Sequence, residues 1–309
     1  MANAPFPIQQ TLTAIAVQYR NSTLIADAVL PRVPVGTQEF KYMRHAMSEG
    51  FTIPDTRIGR RSRPNELEFT AVEVAAACLD YGLDDVIPQR DINNAPEGYN
   101  PVERAVQGLT DLVLLDREKR VADIVFALNT YPAAQRTTLS GTSQWSDFTN
   151  STPLVNITTA LDTMVMRGNV MVIGRQAWTR LSMHPQIVKA VMGYANDSGI
   201  VTRQQVAALF ELEDVLVGEG WLNTARKGQA ANMQRVWGKH CALIHRDSLA
   251  GPQMRTTFGF TAQFGTRFSG QMPEPHAGII GGTRVRVGES VAEVVSANDL
   301  GYLFQDAVA

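Results

Sequence analysis

The segment YNPVERAVQGLTDLVLLDREKRVADIVFALNTYP, residues 99–132, carries the clearest structural pattern in the sequence. Asn100 is a favourable helix N-cap, Pro101 suits the first helical position, and Glu103 occupies the place of a capping-box acid. Apolar residues recur at helical spacing: Val102, Val106, Leu109, Val113, Val121, Ile124 and Leu128. The pattern predicts a helix over 101–128, about 42 Å long. Its charged stretch DREKR (116–120) indicates a solvated or interface face.

The region before this helix predicts a long two-stranded ribbon. QEFKYMRHAM (38–47) and ELEFTAVEVAAACLDYGL (66–83) alternate apolar and polar residues, as strands do. The sequence between them, SEGFTIPDTRIGRRSRPN, is rich in Gly and Pro and predicts an open loop. A ribbon that stands alone is marginally stable in water, so we expect it to need a partner surface.

The loop of this ribbon concentrates positive charge. It contains Arg57, Arg60, Arg61 and Arg63, and guanidinium groups suit both acidic side chains and phosphates. Because the whole chain is close to neutral, nucleic acid is the weaker interpretation. A protein partner and plain solvent both stay open.

Residues 1–35 are punctuated by Pro5, Pro7, Pro31 and Pro34. This region predicts an arm with little core of its own. Such an arm usually lies on another chain or domain.

The segment TLSGTSQWSDFTNSTP, residues 138–153, resembles a linker in its Ser and Thr content but contains Trp145 and Phe148. Disordered tethers rarely include large aromatic residues, so the segment predicts a strap that docks on a surface. An α/β pattern follows, with helices at 156–166, on both sides of Pro185, and after Thr202, whose capping box includes Gln205. The C-terminal part predicts strands, with a hairpin turn near Gly288.

Composition excludes several classes of protein. The chain has 309 residues, which suggests about two domains, and its 28 basic and 30 acidic residues argue against a dedicated nucleic-acid binder. Cys78 and Cys241 are expected to be buried and unpaired. There is no signal-peptide pattern and no apolar run of membrane-spanning length, so we expect a reducing cytoplasm.

No catalytic or metal-binding pattern is found. The phosphate-loop and nucleophile-elbow motifs are absent. The histidines lack metal-ligand spacing, since a strand would place His240 and His245 on opposite faces. Asp84 and Asp85 are expected to serve in a turn or cap. The sequence therefore predicts no enzyme, no metal and no cofactor.

Five segments together resemble the major capsid (head) proteins of tailed bacteriophages, including Mu-like transposable phages. They are YGLDDVIPQRDINNA (81–95), REKRVADIVF (117–126), TLSGTSQWSD (138–147), MVIGRQAWTRLSMHPQIV (171–188) and VWGKHCALIHR (236–246). The resemblance spans about residue 35 to the C-terminus and implies the α+β Hong Kong 97-type fold. The implied parts are an N-terminal arm (1–35), an extended β-hairpin loop (36–76), a peripheral domain (77–153 and 281–296, with a spine helix at 101–128) and an axial α/β domain (154–280 and 297–309).

The resemblance also implies which residues touch other subunits. The expected interface residues of the arm and extended loop are Phe6, Phe51, Arg57, Arg60, Arg61 and Arg63. Trp145 and Phe148 are expected to anchor the crossover from the spine helix to the axial domain. Some members of the family cross-link subunits through a lysine on the extended loop. Residues 48–65 contain no Lys, and Lys41 is the nearest, so we expect a non-covalent shell.

The implied function is a major capsid protein whose hexamers and pentamers close into an icosahedral head around double-stranded DNA, contacted non-specifically. Implied partners are a separate scaffolding protein, a portal and decoration or minor capsid proteins, with no membrane. The implied location is the virion, after assembly in the host bacterial cytoplasm. Two alternatives stay open: an encapsulin-like compartment that holds a cargo enzyme, and a soluble hydrolase that uses a loop Ser or a His.

Overall fold

A computed structural model of the chain describes residues 10–18, 23–45, 53–63, 65–66, 71–193, 198–226, 228–247 and 257–309. The helices are α1 (Gln10–Gln18), α2 (Ala26–Val29), α3 (Gln89–Asn93), α4 (Pro101–Val125), α5 (Pro153–Thr163), α6 (Arg175–Ser182), α7 (Pro185–Met192) and α8 (Arg203–Phe210). The strands are β1 (Arg32–Val35), β2 (Glu39–His45), β3 (Ala71–Ala77), β4 (Leu79–Pro88), β5 (Arg136–Thr138), β6 (Val170–Gly174), β7 (Asp214–Gly218), β8 (Trp221–Asn223), β9 (Met233–Arg235), β10 (Cys241–Ile244), β11 (Gly259–Glu274), β12 (Gly282–Val295) and β13 (Gly301–Gln305). Among the described helices, none is both long and apolar enough to cross a bilayer.

The predicted long helix is α4, and Asn100 caps it by accepting the N–H groups of Val102 and Glu103. The helix ends at Val125 rather than at Leu128. Thr130 Oγ1 and Tyr131 OH donate to the carbonyls of Ile124 and Val125, both at 2.7 Å. These bonds satisfy carbonyls that the end of a helix leaves without partners, so the chain turns away there.

Four strands form a sheet in the order β1-β11-β12-β4, in which β1 is parallel to β11 and the other pairs are antiparallel. The prediction of a turn near Gly288 is wrong. Gly288 lies inside β12, where a Cβ atom would sit 3.0 Å from both Phe268 Cζ and Tyr81 O. Close packing therefore explains this glycine, and the β11–β12 hairpin turns at 275–281 instead.

Two further expectations are corrected by this sheet. The implied axial domain at 154–280 includes residues 259–274, but β11 pairs with β12 on both sides of an irregularity between Phe264 and Phe268. Asp84 and Asp85 lie within β4, opposite Arg286 and Val285 of β12, so they serve in neither a turn nor a cap. A continuous ladder of hydrogen bonds fixes both residues in a strand.

The α/β body is built on a five-stranded sheet in the order β5-β13-β10-β6-β7. The predicted helices around it are present, including the break at Pro185 and the reciprocal capping box of Thr202 and Gln205. Strands β6, β7 and β10 are almost wholly buried. Helices α5 to α8 supply one hydrophobic core with the strands, and Cys241 lies in it as a free, buried thiol.

The described part of the N-terminal region has a core, contrary to the prediction. Leu12 and Ala16 of α1 are buried against Val106 of α4 and Val285 of β12. Ala26, Val29 and Leu30 are buried as well, against Val121 and Val125 of α4. Short amphipathic turns here cover α4, a contact that the proline spacing did not reveal.

The predicted ribbon is the antiparallel pair β2–β3. Its root packs on its own chain, because Phe40 and Tyr42 are buried together with Phe260 and Val294. The Tyr42 and Phe260 rings meet edge to face at 6.2 Å. The need for an outside partner therefore applies to the tip of the ribbon and not to its root.

Candidate subunit-interface surfaces

The tip of the ribbon presents its charged and apolar side chains to solvent. Arg57, Arg60, Arg61 and Arg63 are exposed, and none forms an ion pair with a described residue. Ile53 and Ile58 on the same loop are 92% and 53% exposed. Such a surface of cations and isoleucines, unpaired within the described chain, is suited to another molecule. Phe6 and Phe51, the other two residues predicted at interfaces, lie outside the described residues.

The hairpin between β11 and β12 ends in a second apolar tip. Ile279 and Ile280 are 102% and 63% exposed. Gly278 and Gly281 adopt positive φ values of 68° and 75°, which a glycine accepts without strain. The sequence did not single out this tip, because two isoleucines in a row also fit a buried strand.

Beside this hairpin lies a groove of about 880 Å³ between β4, α3 and the first half of α4. Its lining includes the exposed Tyr99 and Leu112 together with Asp85 and Asp91. Neither of these two aspartates forms an ion pair with a described residue. Arg104 also lines the groove. The groove is therefore apolar and weakly acidic, opposite in sign to the ribbon tip. The outer edge of β4 pairs with no described strand, because β4 ends the sheet.

The neighbouring Asp84 is already neutralised. Its carboxylate accepts from Arg286 Nε and Nη2, both at 2.7 Å. These hydrogen bonds, aided by Arg284, lower the pKa of Asp84 despite partial burial. This pair therefore stabilises the sheet across β4 and β12.

The segment 138–153 is a strap over the C-terminal strand. Trp145 is fully buried, its ring lies 5.4 Å from that of Phe304, and its backbone N–H donates to Ala307 O at 2.7 Å. Phe148 is 37% exposed and meets His184 edge to face at 5.5 Å. Both aromatics touch the α/β body of their own chain, with Trp145 the more deeply buried.

Ser151 and His184 lie under this strap and form a structural hydrogen-bond chain. Both are buried, with Ser151 Oγ 3.0 Å from His184 Nε2. Ser151 Oγ donates to Asp147 O at 2.6 Å, and His184 Nδ1 accepts the N–H of Gln186 at 3.3 Å. Every polar atom is thus engaged in local structure and hidden from substrate, so this pair is no nucleophile and base. Among the described residues, no group of His, Cys, Asp or Glu could hold a metal ion.

Sequence reasoning missed a set of charged residues beneath α2. We call this set the buried charge cluster; it consists of Arg32, Arg117, Glu118, Arg267 and Glu289, with Asp27 at its solvent-exposed rim. Arg117 and Glu118, the middle of the DREKR stretch, are fully buried and not on a solvated face. Helical spacing could not reveal this, because the residues that cover them lie far away in sequence.

Glu118 is the centre of one half of the cluster. Its two carboxylate oxygens accept the backbone N–H groups of Ile25 at 2.9 Å and Ala26 at 2.7 Å, and Oε1 also accepts the Trp237 indole N–H. Burial raises the pKa of Glu118, while these N–H donors act in the opposite direction. The side chain therefore joins α4, the start of α2 and the α/β body.

Arg117 and its neighbours form the other half. Arg117 Nη2 donates to Leu30 O at 3.3 Å and to Thr261 Oγ1 at 2.9 Å, and Nη1 bonds to Asp27. Arg32 bridges Asp27 at 2.7 Å and Glu289 at 2.8 Å. Burial alone would raise the pKa values of Asp27 and Glu289, but the adjacent arginines outweigh it and lower both.

The comparisons with known proteins decide the family. The chain is 52% identical over 309 residues to a major capsid protein of Pseudomonas phage JBD67, and the match covers 100% of both chains. The chain belongs to the bacteriophage major capsid proteins. It is also 29% identical over 265 residues to a major capsid protein of Burkholderia phage BcepMu, covering 82% of each chain. No protein-family model matches the chain.

Solved structures give the fold of this capsid protein. A phage-related protein from Bordetella bronchiseptica RB50 superposes with a TM-score of 0.75 at 22% identity over 98% of both chains. The capsid structure of cyanophage P-SCSP1u gives a TM-score of 0.58 at 10% identity, over 93% of this chain and 89% of that one. The fold is thus the Hong Kong 97-type capsid fold, as the sequence predicted.

Membership in this family resolves the alternatives that the sequence left open. The protein is a structural component of the virion capsid and not an enzyme, so the hydrolase alternative is wrong. Relatives that are named major capsid proteins favour a phage shell over an enzyme-holding compartment.

Proposed function

We propose that this capsid protein forms hexamers and pentamers that close into an icosahedral head around double-stranded DNA, which it contacts without sequence specificity. The observation that carries this proposal is the ribbon tip, whose arginines form no ion pair with a described residue and whose isoleucines are exposed. Contacts between different faces of neighbouring copies close into rings when the rotation between them permits. Assembly takes place in the host bacterial cytoplasm.

The parts of the fold have separate tasks in this proposal. Beyond the contacts with their own chain, the N-terminal arm (1–35) and the extended loop (36–76) reach neighbouring subunits. The sheet containing β4, β11 and β12, together with α4, forms the peripheral domain. The α/β body, within 154–258 and 297–309, forms the axial domain. A separate scaffolding protein, a portal and decoration or minor capsid proteins complete the head.

The ribbon tip has a complementary surface in the groove beside α3. Arg57, Arg60, Arg61 and Arg63 of one copy would face Asp85 and Asp91 of the next. Ile53 and Ile58 would then cover the exposed Tyr99 and Leu112. Opposite charges of this kind fix the register of an interface and exclude wrong partners.

Particles purified from producing cells test the proposal. We expect nuclease-resistant double-stranded DNA inside the particles, and one band near 34 kDa after boiling in denaturant, since the loop 48–65 has no lysine to cross-link. Particles that carry a cargo enzyme and no DNA would contradict the phage-head function. A ladder of covalent multimers would contradict the non-covalent shell.

A further inference from the structure

The buried charge cluster is a costly way to hold a segment that apolar contacts already cover. Ala26, Val29 and Leu30 pack in the same core as Val121, Val125 and Trp237. Removing charges from water carries a large free-energy cost, even in real proteins. Hydrophobic residues could seal this surface without that cost, so burial by itself does not account for Arg117 and Glu118.

Charged contacts supply what apolar contacts lack, namely one defined register. The two oxygens of Glu118 accept from consecutive backbone N–H groups, those of Ile25 and Ala26. Arg117 holds the next residue, Asp27, and the carbonyl of Leu30. Two consecutive residues of α4 thereby fix residues 25–30 along the helix.

Strand β1 extends this constraint to the sheet. It has only four residues and pairs in parallel with β11, with Arg32 opposite Thr261. Successive side chains of a strand point to opposite faces. A slip of one residue would therefore turn Arg32 away from Glu289, whose carboxylate is fully buried and bonded to Arg32 and Arg267.

Arg267 continues the constraint to α1. Its Nη1 donates to Ala16 O at 2.8 Å, while Thr13 Oγ1 donates to Ser269 O at 2.9 Å. The carboxylates of Glu118 and Glu289 are therefore linked to α1, α2 and β1, through backbone N–H groups and through Arg32 and Arg267. The described N-terminal region is held in one position relative to α4 and β11.

We propose that the buried charge cluster is a positioning device for assembly, which sets the register of residues 10–18 and 23–35 on their own chain, so that contacts of the arm with a neighbouring copy form along one path. Arg117 and Glu118 are its central positioning residues. This inference rests on the proposed shell function, in which the arm contacts other subunits. Its partner is a second copy of this chain.

Glu118→Gln tests the inference with little change of shape. The amide keeps one acceptor oxygen but presents an NH2 group to N–H donors. The hydrogen-exchange rate of the backbone amides in residues 24–30 of the dissociated subunit is expected to rise about tenfold. A change of this size is expected when one buried hydrogen bond is lost. Shells assembled well below the unfolding temperature are expected to be incomplete or uneven in size by electron microscopy. The matched control is Lys119→Gln, next to Glu118 on the exposed side of α4, which should leave both readouts unchanged.

The possible outcomes distinguish a role in positioning the N-terminal region from a role in the stability of the subunit. A folded Glu118→Gln subunit that forms shells of wild-type size and yield would overturn the inference while leaving the capsid function intact. If Glu118→Gln fails to fold, Arg32→Met replaces it, because Glu289 keeps Arg267 and Asp27 keeps Arg117. Uniform wild-type shells from Arg32→Met would then overturn the inference. Absence of wild-type shells in producing cells, where any scaffolding protein is also present, would refute the proposed icosahedral head and this inference with it.

Discussion

The carboxylate of Glu118 accepts the backbone N–H of Ala26 at 2.7 Å, across 92 residues of sequence. This bond joins the N-terminal region to the longest helix of the fold. The neighbouring Arg117 and Glu289 are buried charges of opposite sign, Arg32 is half-buried, and Asp27 lies at the exposed rim. The N-terminal region is therefore hydrogen-bonded to the rest of its own chain, whereas the side chains at the ribbon tip are exposed.

Charge reversal at the ribbon tip is expected to block assembly without unfolding the subunit. In Arg60→Glu/Arg61→Glu, repulsion from Asp85 and Asp91 of the neighbouring copy should sharply reduce the yield of shells in sedimentation. The unfolding free energy should change by no more than about 0.5 kcal/mol, as for other exposed substitutions. Arg180→Glu, an exposed arginine of α6, is the control.

A second set of substitutions identifies the partner of the tip. Asp85→Arg/Asp91→Arg should also reduce assembly when introduced alone. Combined with the reversed tip, it should restore shells in part, because the charges are opposite again. If the combination stays as defective as either pair, the groove beside α3 is not the partner.

Trp145 is expected to stabilise the strap far more than Phe148 does. Trp145→Ala removes a fully buried side chain and should cost about 3–5 kcal/mol of unfolding free energy. Phe148→Ala removes an edge contact with His184 and should cost roughly 0.5–1.5 kcal/mol. Denaturant unfolding of both variants measures the difference, and equal losses would show that the strap is not anchored at Trp145.

Local patterns predicted the parts of this fold that depend on neighbouring residues. Asn100 caps α4 and Thr202 caps α8 because each bonds to backbone two or three residues away, which the sequence displays directly. Gly288 was misjudged for the opposite reason. Its need for space comes from Phe268 and from Tyr81, more than 200 residues earlier, and a glycine between two strand-like runs looks the same as a turn.

The charged residues of the structure also differ in whether the local sequence displays them. The four arginines of the ribbon tip stand together in sequence, which displays them directly, and their contact with another subunit stays a prediction. Arg117 and Glu118 resembled a surface charge pattern, because the backbone groups that accept and donate to them lie near residues 25–30. Long-range burial of a charge leaves no periodic signal on its own helix.

His184 predicts a loss of subunit stability at mildly acidic pH. Burial lowers the pKa of His184, because Nδ1 must accept the Gln186 N–H and the ring is enclosed. In the unfolded chain the pKa of His184 is about 6.5, whereas in the folded chain it is lower, so the unfolded chain takes up the proton first as the pH falls. Stability from this group is therefore present above about pH 6.5 and is lost as the pH falls below it. The melting temperature of the wild type should fall between pH 7.5 and 5.5, and His184→Gln should show a smaller fall; parallel curves would exclude His184.

The buried charge cluster predicts a second loss at lower pH. The pKa values of Asp27 and Glu289 are lowered by their arginines, against the effect of burial. Their contribution is complete above the unfolded values, about 4, and is lost as the pH falls through the lower folded values. Chemical denaturation of the subunit from pH 5 to pH 2 measures this loss. Glu289→Gln should flatten the pH dependence, and an unchanged slope would show that Glu289 is not held as a carboxylate.

Sedimentation velocity of the 309-residue chain in extracts of producing cells, which also contain any scaffolding protein, shows whether it builds a shell, with a range of protein concentrations and electron microscopy of the fractions. The expected result is a set of capsomer-sized species that convert to closed megadalton shells as concentration rises. A single species of 33.9 kDa at every concentration, with no particle in any fraction, would contradict it.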